Sequence, residues 1–179
     1  MVIAPASAST LSRLAQGQAD EILACQALAF RGRPVVAPAM NPAMWSNPST
    51  QANIRTLRSR GYTVVEPGWR RTACGEEGQG RLADLREVYL AGLKALAPQD
   101  MDGIRVLITL GPTREHWDGL RYWTNPSTGF MGAAIAVAAW MRGARVEAIC
   151  GPGTPWLPAG IFRHDVDSAR DMFETAADL

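Results

Sequence analysis

The sequence lacks the set of cysteines that a disulfide framework needs. It contains three cysteines, Cys25, Cys74 and Cys150, which are odd in number and widely spaced. That pattern fits neither a disulfide framework nor a CxxC metal site. We therefore predict a protein of a reducing compartment, the cytoplasm.

An excess of charge and long apolar runs are also missing. Eighteen basic and 17 acidic residues leave a net charge of +1, which does not favour nucleic acid as a partner. No stretch of roughly 18 uncharged apolar residues occurs, and no charged segment precedes an apolar core at the N-terminus. Neither a membrane span nor an export signal is predicted.

Signatures of nucleotide and metal binding are absent as well. Neither the GxxxxGK[ST] loop nor GxGxxG occurs in the sequence. His116 and His164 have no carboxylate or cysteine at metal-ligand spacing. We therefore expect both histidines at the surface and predict no metal site.

What the sequence does contain is an alternation of β-branched apolar runs with segments of helical periodicity. The predicted strands cover 2–3, 34–37, 62–65, 105–109 and 145–149, and the predicted helices cover 8–30, 48–60, 84–97, 130–142 and 168–178. This alternation indicates an α/β architecture with mostly parallel sheets, in which ligands bind to loops after the carboxyl ends of strands.

A domain boundary is predicted at 97–103, where polar residues with a proline and a glycine separate a helix from a new strand. We therefore expect two domains, 1–99 and 100–179. The chain opens on an apolar strand that runs directly into a polar loop, and it ends on an amphipathic helix. From these ends we expect a piece of a longer protein.

One cysteine, Cys74, lies in a glycine-rich loop with Gly75, Gly78 and Gly80. Glycines allow a loop to close over a ligand, and the neighbouring arginines can lower the pKa of a thiol. The sequence therefore indicates a reactive thiol, although a free cysteine packed as a small buried hydrophobe is an equal alternative.

Polar side chains follow the first two predicted strands. Ser7, Ser9 and Thr10 stand at the start of a helix, where they indicate either a phosphate cradle or ordinary capping. Asn41 follows the next strand between two prolines, so it either offers a fixed amide to a substrate or caps a helix that starts at Pro42. Met44 is expected in the core or in a pocket wall.

A third polar segment precedes the helix predicted from residue 130. Ser127, Thr128 and Gly129 suit a phosphate at that helix start. The alanines that follow are expected to let the helix pack closely on a sheet.

Six segments in order resemble a known enzyme family. APASAST, APAMNPAMW and ACGEEGQGRL resemble the flavin-dependent cysteine decarboxylases. LITLGPTRE, RYWTNPSTGFMGAAIA and ARVEAICGP resemble the ligase domain fused to them in the bifunctional phosphopantothenoylcysteine decarboxylase/phosphopantothenate–cysteine ligases of bacterial coenzyme A synthesis. The resemblance implies two Rossmann-like or flavodoxin-like parallel-sheet domains, each partly present in a central fragment.

The resemblance also implies cofactors and residue roles. In the first domain FMN oxidises the cysteinyl thiol, CO₂ leaves, and reduced flavin returns a hydride. By resemblance, Cys74 is the acid for that return, Asn41 holds the substrate carboxylate with Met44 nearby, the glycines around Cys74 form a substrate clamp, and Ser7, Ser9 and Thr10 contact FMN. In the ligase domain, Asn125 contacts the acyl-cytidylate and Ser127 contacts the triphosphate of CTP, which is used with Mg²⁺.

Two departures from the family bear on activity. Neither His116 nor His164 matches the family's catalytic histidine, and Phe130 replaces a common lysine beside the phosphate segment. By the same resemblance, the family's catalytic histidine and first flavin-binding strand are expected upstream of residue 1 and the ligase's lysine-rich loop downstream of residue 179. We therefore expect the isolated chain to turn over neither phosphopantothenoylcysteine nor phosphopantothenate with cysteine. The parent protein is expected to be a homo-oligomer. The alternative is a non-catalytic flavin- or nucleotide-binding regulatory subunit.

Overall fold

Two units of alternating strands and helices make up this chain in the computed structural model, which describes residues 1–71 and 77–179. The units are Met1–Leu96 and Ala97–Leu179. Both contain a three-stranded parallel sheet with helices packed on it. The α/β class predicted from the sequence is confirmed. Among the described residues, no helix has the length and apolar character needed to cross a membrane.

The first unit contains five strands and five helices among its described residues: β1 (Val2–Ala6), α1 (Ala8–Gln16), α2 (Ile22–Ala29), β2 (Val35–Pro38), α3 (Pro42–Ser46), α4 (Pro48–Ser59), β3 (Thr63–Val64), β4 (Gly68–Arg71), β5 (Glu77–Arg81) and α5 (Leu85–Leu96). Its sheet has the order β1-β2-β3, and both pairings are parallel. The central strand β2 is fully buried, as its continuous apolar sequence requires.

The core of this unit lies between the sheet and two helices. Leu11 of α1 and Leu57 of α4 are fully buried, and they belong to one cluster with Val36 of β2 and Trp45 of α3. Periodic apolar positions on α1 and α4 therefore hold both helices against the sheet, and this packing fixes the loops that follow β1 and β2.

The single helix predicted over 8–30 is wrong, because the chain forms α1 and α2 with a break between them. Gly17 ends α1 in the left-handed conformation at φ 71°, and its N–H donates to the carbonyls of Arg13 and Leu14. A glycine at this position favours a helix end. The apolar period resumes after the break, which explains why the sequence pattern continued through it.

A hairpin of β4 and β5 was not predicted, since the glycine-rich segment indicated a loop. The two strands pair antiparallel, with Trp69 opposite Gln79 and Gly68 opposite Arg81. Glycine is a poor strand former, so the local sequence carried no strand signal. Gly78 and Gly80 are needed for the close packing of β5 that is described below.

The second unit contains five strands and two helices: β6 (Arg105–Leu110), β7 (Glu115–His116), β8 (Tyr122–Trp123), α6 (Phe130–Met141), β9 (Arg145–Cys150), β10 (Phe162–Asp165) and α7 (Ala169–Asp178). Its sheet has the order β10-β9-β6 with parallel pairings. The predicted close packing of α6 is confirmed, because Ala133, Ala136 and Ala139 are buried against this sheet. A Cβ on Gly132 would lie 2.5 Å from Leu110 Cβ.

Three elements of this unit were absent from the prediction: β10 and the short antiparallel pair β7 and β8. The histidines also differ from their predicted isolation. His116 Nε2 lies 2.6 Å from Asp167 Oδ2, and His164 Nε2 lies 2.9 Å from Glu147 Oε2. These partners are 51 and 17 residues away in the chain, so sequence spacing gave no sign of them.

Candidate functional site

The polar segment after β1 begins α1 in the first unit. Ser7 is the N-cap, and its hydroxyl accepts the backbone N–H of Thr10 at 3.2 Å and lies 3.0 Å from the Thr10 hydroxyl. Ser7 and Ser9 are exposed and Thr10 is half-buried. The capping role that the sequence left open is therefore present for Ser7. Helix N–H groups and hydroxyls at the end of a parallel strand are also suited to a phosphate.

Asn41 occupies the equivalent position after β2. It is the N-cap of α3, with its Oδ1 accepting the Ala43 N–H at 2.8 Å and Pro42 in the first turn. The Ala39 N–H donates to the carbonyl of Ala6 at 3.0 Å. Because of that bond, the segments carrying Ser7 and Asn41 leave adjacent strands at the same edge of the sheet.

Two hydrophobic residues that follow Asn41, Met44 and Trp45, differ in their burial. Trp45 is buried in the core, whereas Met44 is 48% exposed. Met44 therefore lies on the surface of α3, where a ligand can reach it. Its predicted contact with substrate stays a prediction.

Two glycines of β5 pack directly against the segment that carries Asn41. The Met40 N–H donates to the Gly80 carbonyl at 2.8 Å. A Cβ on Gly78 would lie 2.8 Å from Pro42 Cβ, and a Cβ on Gly80 would overlap the Met40 carbonyl. The absence of side chains at Gly78 and Gly80 is thus what allows the hairpin and the Asn41 segment to touch.

A groove of about 480 Å³ opens beside this contact. It is lined by Pro42, Trp45, Ser46, Trp69 and Gln79, among others. A volume of this order is typical of small-molecule sites. Cys74 and Gly75, which the sequence singled out, lie outside the described residues.

The second unit brings three loops together at the carboxyl end of its sheet. Gly111 follows β6, Gly129 begins α6, and Gly151 follows β9. A Cβ on Gly129 would lie 3.1 Å from Gly111 Cα and 2.9 Å from Thr154 Cγ2. A groove of about 670 Å³ lies between the end of β6 and the start of α6.

The predicted residues Asn125 and Ser127 order the entry to α6 by local hydrogen bonds. Asn125 Oδ1 accepts the Ser127 N–H at 2.9 Å, and the Ser127 hydroxyl accepts the Gly129 N–H at 3.3 Å. Ser127 and Gly129 line the groove, while Asn125 is exposed before it. Phe130, which stands where the family commonly has lysine, is 71% exposed at the first helical position.

An arginine that the sequence did not single out supports the loop after β9. Arg163 donates to the Thr154 hydroxyl at 2.8 Å, to the Pro155 carbonyl at 3.0 Å, and to Asp165. The hydrogen bond from Arg163 holds the pKa of Asp165 below its usual range. Burial raises the pKa of the Cys150 thiol, which makes that cysteine a poor nucleophile.

A glutamine beside the first site was also not singled out by the sequence. Gln79 accepts the Trp45 indole N–H at 3.3 Å. The sequence carried no signal for this bond, because its partners are 34 residues apart and successive side chains of a strand point to opposite faces. Among the described residues, no group of three or more His, Cys, Asp or Glu side chains could hold a metal ion.

Two family models match this chain, one on each side of the boundary between its two units. The family described as Flavoprotein matches residues 1–93. The family described as DNA/pantothenate metabolism flavoprotein C-terminal domain matches residues 101–179.

Curated relatives match nearly the whole chain. The coenzyme A biosynthesis bifunctional protein CoaBC of Haemophilus influenzae is 40% identical over 177 residues, which cover 98% of this chain and 44% of that protein. The protein of the same name from Bacillus subtilis is 40% identical over 178 residues, covering 97% and 44%. This chain therefore spans less than half the length of these relatives. A solved structure of a PPC decarboxylase mutant complexed with pantothenoylaminoethenethiol is 39% identical over 51% of each chain, with a TM-score of 0.48.

Proposed function

This chain belongs to the flavoprotein family, and from that membership we propose that it is part of a bifunctional enzyme of coenzyme A synthesis. The first unit would belong to an FMN-dependent decarboxylase that converts 4'-phosphopantothenoylcysteine to 4'-phosphopantetheine. The second would belong to a ligase that joins 4'-phosphopantothenate to cysteine with CTP. The two family matches and the CoaBC relatives support this assignment.

The observation that carries the decarboxylase proposal is the contact of β5 with the segment that holds Asn41. Asn41 Oδ1 caps α3, so the amide is fixed by its own helix start. Such an amide can donate to a substrate carboxylate from a defined place. The carbonyl of Gly80 accepts the Met40 N–H, which brings the hairpin that leads to Cys74 against the same segment.

The described residues fit FMN at one end of this site. Ser7 and Thr10 present hydroxyls at the N-terminus of α1, where a phosphate is favoured by free N–H groups and the helix dipole. Ser9 is exposed on the first turn of the same helix. We propose that these three residues contact the flavin, which when bound would supply the oxidation of the cysteinyl thiol.

Cys74 is proposed as the acid that delivers a proton in the final reduction. A thiol has an ordinary pKa of about 8.5, far closer to neutrality than that of a serine hydroxyl. Gly75, together with Gly78 and Gly80 of β5, is proposed to form the substrate clamp beside it. Met44, exposed on α3, is proposed to contact the same substrate.

In the second unit we propose that Asn125 contacts the acyl-cytidylate and that Ser127 contacts the nucleotide triphosphate. Support comes from Ser127, which lines the groove formed by β6 and α6, and from the hydrogen bond that ties Asn125 to the Ser127 N–H just before it. Mg²⁺ would enter with the phosphates, which is a usual mode for this ion, because the described residues offer no metal cluster of their own.

The test is a substitution of Cys74 in the bifunctional protein to which we assign this chain. Cys74→Ser should still release CO₂ from phosphopantothenoylcysteine in the presence of FMN, but the oxidised enethiol should accumulate in place of phosphopantetheine. Cys25→Ser is the matched control, because Cys25 is exposed on α2 and should change neither product. Normal yields of phosphopantetheine from Cys74→Ser would remove Cys74 from the mechanism.

One observation favours a second candidate, a flavin-binding subunit without catalysis. Both histidines of the chain belong to the second unit, where His116 pairs with Asp167 and His164 with Glu147. Residues 1–96 of this chain contain no histidine. Measured FMN binding without CO₂ release by the complete protein would favour this candidate over the enzyme.

A further inference from the structure

Among the described residues, a backbone bond and a side-chain bond join the β4–β5 hairpin to the Asn41 segment, residues 39–46. The backbone bond joins the Met40 N–H to the Gly80 carbonyl at 2.8 Å. The side-chain bond joins Trp45 Nε1 to Gln79 Oε1 at 3.3 Å. Both bonds run from the segment 39–46 to β5, but only the second can be changed without altering the backbone.

The donor of the side-chain bond is held firmly from within the core. Trp45 is 6% exposed and packs in the cluster that contains Leu11, Ile54 and Leu57. Its backbone carbonyl accepts the side-chain amide of Gln51 at 2.7 Å. The indole N–H therefore points to Gln79 from a fixed position, and the hairpin adjusts to the indole.

The acceptor belongs to a strand whose two glycines pack on the Asn41 segment through backbone alone. Gln79 is half-buried and stands between Gly78 and Gly80, neither of which can contribute side-chain contacts. Its partner across the hairpin, Trp69, is 71% exposed. A two-stranded hairpin is marginal in water without such support, so a bond to a fixed indole contributes to its placement.

We infer that Gln79 is a positioning residue, which anchors β5 to Trp45 and so keeps Met40 bonded to Gly80 and the Asn41 segment in place. The inference rests on the proposed function, in which Asn41 binds the substrate carboxylate. Gln79 itself need not touch the substrate. Its effect reaches the reaction through the backbone that immediately precedes Asn41.

Loss of the Gln79 bond should affect substrate binding more than the chemical step. When Gln79 loses its acceptor oxygen, the hairpin opens more often and the Asn41 segment becomes less ordered before substrate binds. An ordering requirement of this kind weakens binding of substrate and transition state together, and therefore raises KM while kcat changes little.

The first measurement requires no activity. Hydrogen exchange is followed at the Met40 amide and the Trp45 indole N–H in this chain, for the wild type, Gln79→Leu and Gln79→Glu. We expect Gln79→Leu to accelerate both by about fivefold, as the loss of one typical hydrogen bond implies. Gln79→Glu keeps an acceptor at the same reach and should stay within about twofold of the wild type.

Gln51→Leu is the matched control, because it removes the other amide bonded to Trp45 but has no place on the hairpin. It should leave exchange at Met40 unchanged. Exchange at Met40 that is equal in the wild type and in Gln79→Leu would overturn the anchoring role. Equal acceleration by Gln51→Leu would overturn it as well, since the effect would then come from Trp45 alone.

The second measurement uses the bifunctional protein and the release of CO₂ from phosphopantothenoylcysteine. Gln79→Leu should raise KM about fivefold with little change in kcat, and Gln79→Glu should restore it. Faster exchange at Met40 with an unchanged KM would overturn the positioning role. Absence of CO₂ release by the wild type would instead overturn the proposed function, and the exchange data would still decide whether Gln79 anchors the hairpin.

Discussion

Gly80→Ala tests the close approach on which the first site depends. Gly80 has a φ of 155°, a conformation that side-chain-bearing residues rarely adopt. A Cβ at this position would overlap the Met40 carbonyl and lie 3.2 Å from the Pro42 nitrogen. Both neighbours are backbone atoms, so no side-chain rotation can relieve the contact.

The magnitude follows from two contributions. Strained backbone conformations cost about 1–3 kcal/mol each. Because the added Cβ also pushes β5 away from the Met40 carbonyl, the Met40 to Gly80 bond is lost, which adds about 0.5–1.5 kcal/mol. We therefore expect Gly80→Ala to destabilise the contact by about 1.5–4.5 kcal/mol, a large part of the stability of a domain of this size.

Native-state hydrogen exchange separates the contact from the remainder of the unit. The Met40 amide should lose protection in Gly80→Ala, whereas amides of the buried strand β2 report whether the whole first unit is affected. Two matched glycines serve as controls. Gly61 has a φ of 83° with nothing within 4 Å of an added Cβ, and Gly119 has open space without a positive φ.

These controls separate the free-energy cost of the backbone conformation from the cost of the close contact. Gly61→Ala should cost about 1–2 kcal/mol from conformation alone, and Gly119→Ala should stay within about 0.5 kcal/mol of the wild type. If Gly80→Ala affects the Met40 amide no more than Gly119→Ala does, then β5 does not rest on the Asn41 segment and the geometric basis of the first site is refuted.

Three further predictions concern other parts of the chain. Asn41→Asp in the bifunctional protein should lower the rate of CO₂ release at least tenfold, because it sets a like charge against the substrate carboxylate. The free energy of unfolding should be unchanged, since aspartate caps helices as well as asparagine does. An unchanged rate of CO₂ release would leave Asn41 with the capping role alone. His164→Ala should destabilise the second unit by about 1–3 kcal/mol in urea unfolding, because Glu147 is buried and accepts its hydrogen bond, whereas Glu147→Leu should cost less. The bond from His164 lowers the pKa of Glu147 from about 4.3 in the unfolded chain, so the carboxylate's contribution is full above that value and is lost as pH falls through the folded pKa. A cost of His164→Ala that does not fall as Glu147 is protonated would contradict this account. Ser168→Ala should remove the capping box that joins Ser168 and Asp171 and weaken α7 by about 1 kcal/mol, measured as faster amide exchange in its first turn, and unchanged exchange there would contradict the capping role.

The sequence alone determined the class of fold and the family. Continuous apolar runs such as 34–37 and the periodic helices between them predicted parallel sheets, and these were confirmed. The six ordered segments identified the family that the comparisons confirm. Both rest on local information, since strand burial, helix period and motif order are written along the chain itself.

Residues with a capping motif were also predictable in position but not in role. Ser7 and Asn41 were recognised as either caps or ligand contacts, and the structure shows that both cap helices. A side-chain oxygen that accepts one helix N–H can still meet a ligand, because the remaining N–H groups stay free at the same helix start. The sequence therefore named these residues without deciding between the two uses.

The tertiary structure decided the contacts between distant segments. Gly80 resembled a flexible loop residue until its carbonyl was seen to accept the Met40 N–H. His164 seemed isolated until the pairing of β10 with β9, which sets Phe162 opposite Glu147, brought its ring within hydrogen-bond distance of Glu147. Gln79 gained its meaning only from the indole 34 residues away. Such pairings depend on how the sheet and hairpin bring backbone together in space, and a one-dimensional pattern carries spacing along the chain but no distance across the fold.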